Sequence, residues 1–108
     1  MLKDINFDFD KYNIRPGDAA ILKDDMGWFK ANPGKKMKIE GHCDERGTSE
    51  YNMVLGKNRA KAAYDEMRRL GIASDRMSTV SYGKELPLDP RHNEEAWAKN
   101  RRDHFKVN

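Results

Sequence analysis

Between residues 41 and 52 the hydrophobic pattern switches from a period of two to a helical period, and that switch limits the fold more than any other feature. Met37, Ile39 and Gly41 alternate with Lys38, Glu40 and His42, the pattern of a strand with one apolar and one polar face. From Ser49 onward, at about 100° per residue, Asn52, Gly56, Ala63, Met67 and Leu70 share one sector, flanked by Tyr51, Leu55 and Ala62. Glu50, Lys57, Lys61, Asp65 and Arg68 lie opposite, as on a solvated face. Thr48 or Ser49 is placed to cap this helix, and Gly71 suits a left-handed C-terminal cap.

The remaining segments repeat the alternation. Ile5, Phe7 and Phe9 alternate with Asn6, Asp8 and Asp10, which predicts a strand over 4–9. After the turn signal Arg15-Pro16-Gly17-Asp18, the residues Ala19, Leu22, Met26 and Phe29 make a helical stripe that Asn32-Pro33-Gly34 ends. A third strand is predicted over 78–83, with Val80 and Tyr82 on one face. Pro87, Asp89 and Pro90 mark a loop, a short helix runs from Asn93-Glu94-Glu95 through Trp97, and the last strand carries Asp103, Phe105 and Val107 on one face. The order βαβαβαβ predicts an α/β (α+β) two-layer sandwich, with helices covering one face of the sheet and polar side chains on the other.

The 108 residues fit a single domain, 1–108, large enough to hold a core without staples. A net charge of +3 is a small surplus and no phosphate-tracking tract, so nucleic acid is unsupported as a partner. The single cysteine, Cys43, allows no intrachain disulfide. No apolar run has the length of a membrane span, and MLKDINFDFD lacks the features of a signal peptide. The chain is therefore either cytosolic or separated from an upstream targeting segment.

One residue breaks the helical pattern. Arg59 sits only about 20° from Asn52 on the wheel, in the sector that should be apolar. An unpaired buried guanidinium is too costly to keep, so Arg59 needs an acid or an opening to solvent. Asp44, in the loop GHCDERG just before the helix, is the nearest candidate in sequence. Two arrangements satisfy this: an internal Asp44–Arg59 ion pair, or an open acid and base that clasp a zwitterion at a helix N-terminus. The wheel alone favours the internal pair.

The stretch GHCDERGTSEYNMVLGKNRA, with FDFDKYNI upstream and SYGKELP and AWAKNRR downstream, resembles the OmpA-like peptidoglycan-binding domain family, and within it most of all the peptidoglycan-associated lipoproteins of the Tol–Pal system. The resemblance runs from Ile5 to Phe105 with the four segments in order. It implies a mixed four-stranded sheet and non-covalent, non-catalytic binding of the diaminopimelate in an uncross-linked stem peptide, without a cofactor or metal. Carried over by motif, Asp44 and Arg59 are the ligand-reading pair and Arg46 of DERG supports them. Asn52 and Leu55 line or brace the pocket, and Phe9 and Asp10 border it. Lysine-type wall lacks the carboxylate that Arg59 would read. The resemblance further implies the periplasmic propeller protein TolB as a partner, a place on the periplasmic side of the outer membrane, and a role in envelope integrity and cell division. It also implies an export signal, an acylated cysteine and a linker, none of which is in this chain, and Cys43 is not that cysteine. A porin or flagellar-motor protein with the same domain is the alternative parent.

Other chemistries fit the residues less well. Adjacent strand residues point to opposite faces, so His42 and Cys43 do not readily share a metal, and the same alternation turns His42 away as a base for a Cys43 nucleophile. Asp44 and Glu45 are adjacent and cannot flank a glycosidic bond as a hydrolase pair must. Trp28, Phe29, Trp97, Tyr51 and Tyr82 read most simply as packing aromatics.

Overall fold

The computed structural model describes residues 2–108. Four strands, β1 (Ile5–Asn6), β2 (Met37–His42), β3 (Met77–Gly83) and β4 (Arg102–Val107), form one mixed sheet in the order β1-β4-β2-β3. Three helices, α1 (Pro16–Lys30), α2 (Ser49–Arg69) and α3 (Glu94–Asn100), alternate with them in the predicted βαβαβαβ order. β2 pairs in parallel with β3 across the α2 crossover and antiparallel with β4, which is antiparallel to β1.

The core lies on one face of the sheet. Leu22, Met26 and Phe29 of α1 and Ala60, Ala63 and Met67 of α2 pack onto Ile5, Met37, Ile39, Met77 and Phe105. The other face is polar: Glu40 opposes His104 and Lys38 opposes Lys106, in register on β2 and β4. This is the alternation that the strand sequences predict.

Two boundaries differ from the sequence reading, each for a physical reason. The first strand is two residues long, not six, because its partner β4 begins only at Arg102. One more ladder bond, from Phe7 N to Arg101 O at 2.9 Å, closes the pairing, after which Lys11 N bonds to Asp8 O and Asp10 takes a positive φ of 57°. Phe9 is thereby turned away from the buried row of Ile5 and Phe7 and is 54% exposed. The Arg15-Pro16-Gly17-Asp18 segment is not a separate turn. Pro16 occupies the first turn of α1, where its missing N–H costs no intrahelical bond.

Helix α2 lies unusually close to the sheet. A Cβ on Gly41 would overlap the backbone carbonyl of Gly56, and one on Gly56 would overlap Ser81 Oγ. Two facing glycines thus let α2 press onto β2, which sets the height of Asn52, Leu55 and Arg59 above the strand end.

Candidate functional site

The loop after β1, the β2–α2 loop and the first turns of α2 enclose a cavity of about 220 Å³. Phe9, Asp10, Asp44, Arg46, Asn52, Leu55 and Arg59, the seven residues singled out in the sequence, all line it, together with Cys43, Gly47 and Tyr51. Thr48 caps α2 by accepting from Tyr51 N at 3.1 Å. Asn52, one turn in, donates to the carbonyls of Arg46 (2.8 Å) and Thr48 (3.1 Å) and so fixes the loop to the helix.

Arg59 and Asp44 do not pair with each other. The guanidinium, 1% exposed, donates instead to three backbone carbonyls: Nε to Lys11 (2.8 Å), Nη1 to His42 (3.0 Å) and Nη2 to Asp8 (3.1 Å). Three of its five N–H groups are used, and two are left. No carboxylate among the described residues forms a salt bridge with it. Burial pulls its pKa down, against the opposing pull of Cys43, Asp103 and Asp44 nearby. The internal ion pair that the helical wheel favours is therefore absent, and Asp44 is not a freely open acid either.

Asp44 is 4% exposed and already well served. Its Oδ1 accepts from Arg46 N (3.0 Å) and Nε (3.2 Å), and its Oδ2 from Arg46 Nη2 (2.9 Å) and Arg101 Nη1 (3.3 Å). Burial pushes its pKa up, but the side-chain and backbone hydrogen bonds of Arg46, that residue's charge and Arg101 outweigh this and hold the carboxyl below its usual range. Asp10 carries a second, exposed carboxylate on the lining and accepts a hydrogen bond from Tyr51.

Arg46 is clamped between two rings, with its guanidinium carbon 3.9 Å from the Phe9 centroid and 4.3 Å from that of Trp97. Trp97 is held in turn by Glu45, which accepts from its Nε1 at 2.7 Å and bonds His92 Nδ1 at 2.6 Å. Trp97, Tyr51, Arg101 and Glu45 were missed as site residues in the sequence. The two aromatics read as packing residues, and nothing in their spacing indicated that the 90–101 segment returns to the 43–48 loop. Buried Asp103, 0% exposed with no hydrogen-bond partner for either oxygen among the described residues, was visible as an acid on the Phe105 face.

His42 and Cys43 diverge. The His42 ring stacks on Tyr82 at 5.4 Å and meets Glu40 at 3.2 Å, while Cys43 Sγ donates to Asn52 O at 3.3 Å. Burial pushes the Cys43 thiol up to about 11, so it is not a thiolate nucleophile at neutral pH.

The sequence profile of the OmpA family matches residues 6–101. The peptidoglycan-associated lipoprotein of Pasteurella multocida is 44% identical over 91% of this chain and 65% of its own length. That of Haemophilus influenzae is 42% identical over 91% of this chain and 64% of its own length. The chain thus spans somewhat under two thirds of the curated relatives it matches. The crystal structure of the peptidoglycan-associated lipoprotein from Burkholderia pseudomallei superposes with a TM-score of 0.94 at 39% identity, covering 98% of this chain and 90% of that one.

Proposed function

The chain belongs to the OmpA family, and on that premise we propose that it binds peptidoglycan without cleaving it, through the diaminopimelate of an uncross-linked stem peptide. The whole protein, in this reading, tethers the outer membrane to the cell wall from the periplasmic side, as part of the Tol–Pal system, with TolB as a protein partner and roles in envelope integrity and cell division.

The observation that carries the reading is Arg59: a buried cation on the cavity lining that has, among the described residues, no carboxylate partner and two uncommitted N–H groups. A buried charge in that state favours an incoming anion strongly. The free end of diaminopimelate carries a carboxylate and an ammonium on one carbon. The carboxylate goes to Arg59. The ammonium goes to Asp44, whose longest existing contact is the 3.3 Å one from Arg101, and to the exposed Asp10. Asp10 and Asp44 balance Arg46 and Arg59 on the lining, so the cavity is matched to a zwitterion and not to a simple anion. Leu55 supplies apolar contact for the ligand's methylenes.

The same geometry argues for binding over hydrolysis. Asp44 is held ionised, and the Trp97 and His92 contacts hold Glu45 below the usual carboxylate range, so neither acid is a proton donor at neutral pH. Their carboxyls also diverge, one to Arg46 and Arg101, the other to Trp97 and His92.

Calorimetric titration with a diaminopimelate-containing muropeptide tests the reading. Saturable binding is expected for the wild type, with the matched lysine-containing muropeptide at least tenfold weaker. Arg59→Lys, which keeps a charge but loses the fork, should weaken the first peptide and leave little preference between the two. Equal affinity of the wild-type domain for both muropeptides would sink the diaminopimelate assignment, and it needs no variant to fold.

A further inference from the structure

The clamped arginine at the cavity's edge has a use that the Arg59 clasp does not absorb. Both faces of the Arg46 guanidinium are covered, by Phe9 at 3.9 Å and Trp97 at 4.3 Å. One edge, Nε and Nη2, is closed by the two oxygens of Asp44 at 3.2 and 2.9 Å. The remaining edge carries Nη1, which has no hydrogen-bond partner among the described residues, and the side chain is still 33% exposed on the cavity lining. The nearest further acid, Glu94, stands 3.9 Å from Nη2 and turns its other oxygen to Arg101 at 3.0 Å.

An ordinary surface arginine swings through many rotamers and loses that freedom on binding. Arg46 has already lost it. The indole on its outer face is fixed by Glu45, and Lys84 Nζ pins the same loop by donating to Gly47 O at 2.6 Å. The result is a preorganised cation with one open edge, beside the group that takes the diaminopimelate.

We propose that Arg46 is a second carboxylate reader of this pocket, engaging another carboxylate of the same stem peptide, with Trp97 and Glu45 as its positioning residues; this rests on the peptidoglycan reading above. An uncross-linked stem peptide offers two such groups, the α-carboxylate of its glutamate and the carboxylate of its C-terminal residue. Amidation removes the charge from either without touching diaminopimelate.

The test is a titration with three muropeptides identical in diaminopimelate: unmodified, amidated at the glutamate α-carboxyl, and amidated at the C-terminus. Each is titrated into the wild type, Arg46→Met and Trp97→Leu. One of the two amides should bind the wild type about tenfold more weakly, and which one identifies the carboxylate. In Arg46→Met the unmodified peptide should fall to that weaker level and amidation should cost nothing more. Trp97→Leu keeps the cation but frees one of its faces, so the amidation penalty should shrink to about threefold or less. The proposal is overturned if both amides match the unmodified peptide on the wild type, or if the penalty survives undiminished in Arg46→Met. If Arg46→Met fails to fold, an undiminished penalty in Trp97→Leu overturns the positioning by the indole. Failure of all three peptides to bind the wild type removes the peptidoglycan reading as well, so the two failures are distinct.

Discussion

Among the described residues no salt bridge reaches Arg59, Asp103 or Asp25, although none of the three is more than 3% exposed. Arg59 is stabilised by three carbonyls, Asp103 is pushed well above its ordinary value by burial, and Asp25 accepts, among the described residues, a single bond, from Lys3 N at 2.8 Å, with its other oxygen unsatisfied. Burial raises the Asp25 pKa from 3.8 to about 6. The folded state then holds this proton more tightly than the unfolded chain, so the contribution is favourable below pH 4 and is lost as pH rises through about 6. Asp25→Asn should remove that loss: little change is expected at acid pH, and a gain of about 1–3 kcal/mol by denaturant unfolding at pH 8. An unchanged wild-type-to-variant difference between the two conditions would contradict the burial assignment. Of the three, Arg59 stood out in the sequence as a charge on an apolar stripe and Asp103 as an acid on the Phe105 face, whereas Asp25 was not singled out. What Arg59 touches was not legible, because its acceptors lie 48, 17 and 51 residues away, beyond anything a helical wheel relates.

At the scale of elements, the long periodic segments were legible and the short edge strand was not. The α2 wheel places Asn52, Gly56, Arg59, Ala63 and Met67 together, and all five are buried. Such a pattern is intrinsic to the segment, since one face of 21 helical residues must be covered. The length of β1 is instead set by where β4 begins, and the position of Trp97 by how the 84–93 loop returns, so neither has a local signature. The glycine contact between β2 and α2 is similarly silent, because it needs two segments at once. It carries a sharp expectation. Gly41→Ala would drive a methyl into the Gly56 carbonyl, which is backbone and cannot rotate aside, so α2 must lift from the sheet. A loss of about 3 kcal/mol or more is expected by urea unfolding, well above the usual glycine-to-alanine effect in a strand. A loss of under about 1 kcal/mol would mean that the close approach is not what holds α2 in place.

For the whole molecule, the cavity-lining groups gather at one end of the sheet, where β2 hands over to α2 and the loop after β1 crosses beside it, while the net charge of the chain is only +3. Salt dependence and wall integrity distinguish the proposed wall-binding module from a polyanion binder and from a hydrolase. A buried, charge-balanced pocket responds weakly to salt because its contacts lie inside the screening atmosphere, whereas a binder that works through surface lysines loses affinity steeply. The domain should therefore co-sediment with purified diaminopimelate-type cell wall about equally at roughly 0.15 M and 0.5 M salt. Soluble diaminopimelate-containing muropeptide should displace it, and the supernatant should gain no wall fragments during hours of incubation. Fragment release would replace the anchor with an enzyme. Steep loss with salt, undisturbed by the competing muropeptide, would move the interaction from the pocket to the lysine-bearing surface.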